Sequence, residues 1–255
     1  MQPVAGTNTR FLLVCNIVPS CCDFHRVNYI TVKDTLVKLL PLISTIVFIL
    51  PALTITLRRL WSVTFFKMFG IYGLMGAALT SLDMSTIDPL IIERVGLIYN
   101  MIDIPYVMLM IFIISKNELV KRVIILSVVL YIFLQLVFYF REGMNYAAIK
   151  ISLGYGLSIV LLAVIFTLLN FFRRMGLTSR QVAYIVILSA LMFDYGTFIV
   201  IYIFDYYVTG YNITDNLVIY YISSIIAMTI GTVGLWVPNR SSELNPRVNS
   251  DYSRI

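Results

Sequence analysis

Two carboxylic acids, Asp103 and Asp194, lie deep inside stretches of sequence that otherwise carry no charge. In an apolar run long enough to cross a bilayer, an acid costs roughly 2.5–3.5 kcal/mol to insert. A side chain that costly faces the interior of a helical bundle and has a partner or a task. The tasks open to a pair of acids are to anchor a polar ligand, to load and release protons, or to share one proton as a hydrolytic dyad. The plainest structural role for each is a neutral acid bonded to a neighbouring tyrosine or to a free backbone carbonyl.

The residues around each acid sharpen this. Tyr99, Asp103, Tyr106 and Met110 follow i, i+4, i+7, i+11, which is one face of a helix. Asn100 adjoins that face. Ala190, Asp194 and Thr197 share a face of another helix, with Tyr195 and Tyr202 nearby. Tyr155, Tyr220 and Tyr221 fall at a similar level on two further helices. The candidate ligand-binding or proton-carrying residues are therefore Asp103, Asp194, Asn100, Tyr99, Tyr106 and Tyr155. Tyrosine also populates the headgroup layer as an aromatic belt. Tyr202, Tyr206, Tyr207, Tyr220 and Tyr221 are read as such a belt.

These residues must be positioned by membrane helices. The chain has 255 residues, of which 60% are hydrophobic and 13% charged. Soluble proteins carry about 25% charge. About 20 apolar residues in a helix rising 1.5 Å each cross the hydrocarbon. Seven stretches qualify: Leu39–Leu57, Val63–Leu82, Val95–Ser115, Val123–Phe140, Ile151–Phe172, Gln181–Phe204 and Leu217–Val237. Lys67 interrupts the second near one end, where a lysine can snorkel to the interface. The fold class expected is all-α, a polytopic seven-transmembrane-helix bundle, and the location a membrane. Residues 35–238 form the bundle, 1–34 an irregular extracytoplasmic tail, and 239–255 a flexible cytoplasmic tail. Asp103 and Asp194 then both lie roughly 12–15 Å below the outer boundary.

Orientation follows from lysine and arginine, which stay on the cytoplasmic side. Three alternating connections carry Arg58, Arg59 and Lys67; Lys116, Lys121 and Arg122; and Arg173, Arg174 and Arg180. The opposite connections hold Arg94, Arg141 and Lys150 among several acids. The N-terminus is expected outside and the C-terminus inside, although Arg10, Arg26, Lys33 and Lys38 in the N-terminal tail pull the other way. The net charge of +6 is thus a charge of span ends, and nucleic acid is not an expected partner.

Between lipid-embedded helices, small residues permit the close approach that drives association. Gly70, Gly73 and Ala77 in the second span, Ser152, Gly156 and Ala163 in the fifth, and Ser223, Ala227, Gly231 and Gly234 in the seventh read as packing faces. Pro41, Pro51 and Pro105 each remove a backbone donor and free a carbonyl. Pro105 does so next to Asp103.

Absent residues exclude chemistry. The single histidine, His25, lies outside the spans, so three-histidine zinc sites, bis-histidine haem and HExxH motifs are not available. The three cysteines, Cys15, Cys21 and Cys22, are read as free or incidentally paired thiols, because adjacent cysteines suit a tetrahedral metal poorly. No metal or other cofactor is expected. Asn212-Ile213-Thr214 and Asn239-Arg240-Ser241 match a glycosylation tripeptide but occur too easily by chance to carry weight.

The arrangement of seven spans with the N-terminus outside resembles that of rhodopsins and other seven-helix receptors. The seventh span has no lysine to hold retinal covalently, so a retinal Schiff base is not expected. The Asp-Arg-Tyr end to the third helix and the Asn-Pro-x-x-Tyr end to the seventh are missing, and no family is assigned. Intramembrane aspartyl proteases resemble a Tyr-Asp plus Gly-x-Gly-Asp pattern. Here Ile102-Asp103 and Phe193-Asp194-Tyr195-Gly196 stand instead, and Pro51-Ala52-Leu53 matches only a tripeptide in the first span.

The expected function is a non-enzymatic receptor or sensor binding a small or lipophilic ligand in an outward-facing polar pocket. A proton-linked transporter using Asp103 and Asp194 is the alternative, ahead of an aspartyl protease or a structural subunit. The bilayer is the expected solvent, and a membrane or cytoplasmic protein the expected recipient of any signal.

Overall fold

The computed structural model describes residues 19–82, 84–85, 88–144, 147–173, 177–207 and 213–237, with residues 19–38, 89–90, 93, 148–150, 205–207 and 213–217 described by backbone alone. Among the described residues there is no strand. Among the described residues seven α-helices succeed one another: α1 (Pro19–Arg58), α2 (Thr64–Leu82), α3 (Pro89–Ile114), α4 (Glu118–Glu142), α5 (Leu157–Phe172), α6 (Ser179–Tyr207) and α7 (Ile213–Gly234). A π-helical segment, Ala147–Gly156, runs directly into α5. Among the described residues six stretches are long and apolar enough to cross a membrane: Leu39–Arg58, Thr64–Leu82, Arg94–Ile114, Glu118–Glu142, Ile151–Phe172 and Ser179–Phe204. The protein is a helical membrane bundle.

Three boundaries differ from the sequence expectation. α1 begins at Pro19, so residues 19–34, expected as an irregular tail, are helical. No glycine interrupts them. The seventh helix ends at Gly234 rather than running to Val237. Gly234 weakens the helix and Pro238 disfavours helical backbone just before it, so the chain turns at Leu235–Val237. The π-helical winding ahead of α5 had no signal in the sequence. Cys15, both glycosylation tripeptides and the tail from 239 onward involve residues outside those described.

Helix ends carry recognisable chemistry. Asn117 caps α4 by accepting from the Leu119 N–H at 2.9 Å. Gly143 ends it with φ of 90°, a conformation glycine adopts without strain. Thr178 and Gln181 open α6 as a reciprocal pair: the Gln181 N–H donates to Thr178 Oγ1 at 3.3 Å, and Gln181 Oε1 accepts from the Thr178 N–H at 2.9 Å. α1 stops where Arg59 turns left-handed, with φ of 54°.

Helices α1, α2, α3, α5, α6 and α7 close a ring, each packed on the next, and α7 returns to α1. α4 sits outside it, against α3 and the π segment. Only 17% of its span is buried, against 33–50% for the other long spans, so α4 is mostly bathed by lipid. The small residues read as packing faces lie where helices approach. A Cβ on Gly73 would overlap the Phe48 carbonyl oxygen of α1, and one on Gly76 would strike the Phe48 ring. Gly231 of α7 takes the Phe69 ring of α2, and Gly156 takes Ile104 and Tyr131.

The antiparallel course gives the bundle two ends. At one, α3, α5 and α7 begin and α2, α4 and α6 finish; this is the cavity end. The other, where α1, α3, α5 and α7 finish, is called the closed end for the rings packed inside it. There Arg58 of α1 donates to the Leu235 carbonyl just beyond α7 and lies 5.3 Å from the Trp236 ring centroid.

Candidate ligand cavity

A cavity of about 200 Å³ lies inside the ring toward the cavity end. α3 turns Tyr99, Asn100 and Asp103 to it, and α6 turns Asp194, Phe198 and Tyr202. α7 supplies Tyr220 and Ser224, α2 supplies Tyr72, and Leu153 and Leu157 close it from the π segment and α5. Phe48 of α1 forms its floor beside the glycine face of α2.

Both acids are buried, Asp103 to 7% exposure and Asp194 to 1%. Both border the same cavity. Each is held from one side by a hydroxyl donor. Tyr195 donates to Asp103 Oδ2 at 2.6 Å. Ser224 donates to Asp194 Oδ1 at 3.1 Å. Because the Tyr195 proton is committed to Asp103, the 3.4 Å contact between the Tyr72 and Tyr195 hydroxyls has Tyr72 as donor. A chain Tyr72–Tyr195–Asp103 therefore joins α2, α6 and α3, while Ser224–Asp194 joins α7 to α6.

The helix explains how neighbouring residues serve different partners. Successive side chains point about 100° apart around the axis. Asp194 consequently faces α7 and the cavity, while Tyr195 turns to α3 behind Asp103.

One oxygen is left over. The Tyr72 and Tyr99 hydroxyls face the same carboxyl, but Asp103 Oδ1, although buried, makes no hydrogen bond. A buried polar oxygen without a partner loses its hydration with nothing in return, at a cost of about 1–3 kcal/mol. Among the described lining residues none is Lys, Arg or His. Among the described residues no group of three or more His, Cys, Asp or Glu is placed to hold a metal ion.

Of the candidates read from the sequence, Asp103, Asp194, Asn100 and Tyr99 are brought together around the cavity. Tyr106 and Tyr155 are not among the lining residues. Tyr106 donates to the Met68 carbonyl at 2.8 Å and stacks on Tyr72, with ring centroids 6.3 Å apart, so it braces α3 against α2. Tyr155 is 65% exposed on the bundle surface. Two tyrosines read as an interfacial belt, Tyr202 and Tyr220, line the cavity instead. Tyr220 stacks on Phe198 with centroids 5.0 Å apart. Gly154 leaves room for Tyr202, since a Cβ there would stand 3.1 Å from its hydroxyl.

Sequence reasoning missed Tyr72, Phe198 and Ser224 altogether and gave Tyr195 no role of its own. Phe198 had a usable signal: it is four residues after Asp194, on its face. A second buried polar cluster was also missed. Gln135 Nε2 donates to the Tyr131 hydroxyl at 2.7 Å, Tyr131 donates to Ser152 Oγ at 2.9 Å, and Gln135 also reaches Ser152. The Met101 carbonyl that Pro105 leaves without its helical donor lies 3.4 Å from the Tyr131 hydroxyl. This cluster fastens α4 to the ring.

No family model, no curated protein and no solved structure matches the chain. The functional reading therefore rests on the cavity itself.

Proposed function

We propose that the chain is a non-enzymatic integral membrane receptor or sensor that binds a small or lipophilic ligand in the cavity between α3, α6 and α7. The observation that supports this most is the free Oδ1 of Asp103, buried at the cavity wall with no partner in the protein. A ligand donor placed there relieves a desolvation cost that the empty protein bears. The basic residues cluster at the closed end, which the positive-inside tendency puts in the cytoplasm. The cavity end then faces outward, toward arriving ligand.

Binding at Asp103 has a route to shape change. The same carboxyl anchors Tyr195 of α6, and Tyr195 holds Tyr72 of α2. A ligand shifts such an equilibrium only by its difference in affinity between the two arrangements. Competition for the carboxyl between ligand and Tyr195 supplies that difference. The shift would be read by a membrane or cytoplasmic partner protein.

The test is native mass spectrometry of gently purified protein. The wild type should retain a small molecule that Asp103→Asn loses, while both keep the same helical content. If neither variant carries a molecule and no compound stabilises the wild type, the reading fails. A proton-linked carrier is the second reading, favoured by the presence of two acids at one cavity. It requires pH-dependent uptake into proteoliposomes that Asp103→Asn abolishes, whereas a receptor shows no flux.

A further inference from the structure

We propose that the ligand is a small organic cation, an ammonium group carrying a compact apolar body about the size of one ring. This rests on the ligand-cavity reading and names its chemical class. Three independent features of the cavity converge on it.

The first is charge. Two carboxyl groups border the cavity and no described lining residue is basic. Asp103 Oδ2 and Asp194 Oδ1 are taken by Tyr195 and Ser224, and Asp103 Oδ1 is open. A cationic ligand supplies the countercharge that a buried carboxylate needs in order to ionise, which neither an anion nor a neutral ligand does. An ammonium brings the charge and the N–H donors together, and charge-assisted bonds of this kind are about twice as strong as neutral ones.

The second is the wall. Four tyrosines and two phenylalanines stand among the fourteen described lining residues: Phe48, Tyr72, Tyr99, Phe198, Tyr202 and Tyr220. The face of an aromatic ring is electron-rich and attracts a cation within about 6 Å, the more strongly where water is excluded. The same faces pack against an apolar ring. Neither acids alone nor aromatics alone would choose this class; their convergence does.

The third is size. At about 200 Å³ the cavity exceeds the roughly 150 Å³ that accommodates benzene in an apolar protein cavity. A single ring with a short ammonium arm fits. A bare metal ion would leave most of the space empty, and the described residues place no third carboxylate, histidine or thiolate beside the two acids.

The experiment uses the full chain in lipid nanodiscs and follows its thermal unfolding and heat of binding against four probes. These are 2-phenylethylammonium, its neutral counterpart 2-phenylethanol, its anionic counterpart phenylacetate, and sodium ion. The ammonium should raise the unfolding temperature saturably and bind at least about tenfold more tightly than the alcohol, as expected for a charge-assisted contact. Phenylacetate and sodium should give no specific shift. Asp103→Asn should weaken the ammonium by about tenfold to a hundredfold and the alcohol by much less, since it loses only a neutral contact. Should that variant fail to fold, Phe198→Leu, which stays apolar but removes a ring face, should weaken the ammonium about threefold and the alcohol by less. Equal or tighter binding of the alcohol or phenylacetate overturns the cationic class and leaves the ligand cavity standing. A shift from sodium alone overturns it in favour of an inorganic ion. Failure of every probe at millimolar concentration, with no co-purifying molecule, overturns the inference and the receptor reading together.

Discussion

The two ends of the bundle are built on opposite principles. At the closed end Phe65, Phe66 and Phe171 gather on Tyr184, with ring centroids 4.7, 5.4 and 6.5 Å from it. Phe65 and Phe66 are essentially fully buried, and Arg58 ties the ends of α1 and α7. At the cavity end hydrogen bonds between side chains join the helices, as from Tyr195 of α6 to Asp103 of α3, beside the stacked pair Phe198 and Tyr220. In lipid the apolar effect contributes little to helix association, so close packing and hydrogen bonds must do it. The closed end relies mainly on packed rings, whereas the cavity end adds buried side-chain hydrogen bonds between helices. Packed rings resist sliding, whereas a hydrogen bond can exchange partners with a ligand at small net cost. A helix movement triggered in the cavity should therefore pivot about the closed end.

The sharpest way to break that contrast is to hollow the closed end. Phe66→Ala deletes a fully buried ring from the cluster. Such truncations cost about 3–5 kcal/mol in water-soluble cores. Here the lower end, about 3 kcal/mol, is expected, because the side chain leaves a lipid-like reference rather than water. Thermal unfolding in detergent reads it directly. An unchanged melting temperature would mean that the closed end is not the rigid pole. The next effect in size is Gly73→Ala, whose Cβ meets the Phe48 carbonyl, a backbone atom that cannot swing aside. A loss of about 1–3 kcal/mol is expected from this overpacking, by the same measurement. The ring of Phe48 also borders the cavity, so ligand affinity should fall along with stability.

Legibility in the sequence followed the energetic cost of each residue. Asp103 and Asp194 could be found because a carboxyl in an apolar run has few bland explanations. Their shared depth could be counted at 1.5 Å per residue. Asn100 and Tyr99 followed from helical spacing. The tyrosines could not be sorted in the same way. The chain has 17 of them, and a ring with one polar atom suits a headgroup belt, a helix brace or a cavity wall equally well. Tyr106 and Tyr202 exchanged places for that reason: spacing put Tyr106 near Asp103, while the turn toward α2 that made it a brace depends on a helix 38 residues away. The spans were plain because hydropathy sums over some twenty residues. The extension of α1 to Pro19, the turn after Gly234 and the π winding before α5 depend on local backbone choices that no long average reports.

At the cavity end, Tyr195→Phe removes one hydroxyl and leaves the ring. Asp103 then loses its donor on Oδ2 and Tyr72 its acceptor. Hydrogen bonds between membrane helices are worth about 0.6 kcal/mol on average, so a loss of about 0.5–1.5 kcal/mol is expected, well under that of Phe66→Ala. The functional effect should have the opposite sign. With Tyr195 no longer competing for the carboxyl, 2-phenylethylammonium should bind more tightly, not less, in a calorimetric titration. Weaker binding would show that Tyr195 orients Asp103 for the ligand rather than competing with it.

The smallest expected effect sharpens the boundary of the cavity. Tyr155 lies one residue from Gly154, which borders Tyr202, and two from Leu153, which lines the cavity. Sequence proximity alone would place it in the site. Its 65% exposure puts its side chain on the lipid-facing surface of the bundle. Tyr155→Phe should therefore change stability by less than about 0.5 kcal/mol, as surface substitutions do, and leave ammonium affinity unaltered. Tyr99→Phe, on the cavity wall, should weaken that affinity measurably in the same titration. If the two variants behaved alike, the π-helical segment would have to present a different face to the cavity. The division between a hollow polar end and a packed apolar end would then need to be redrawn around α5.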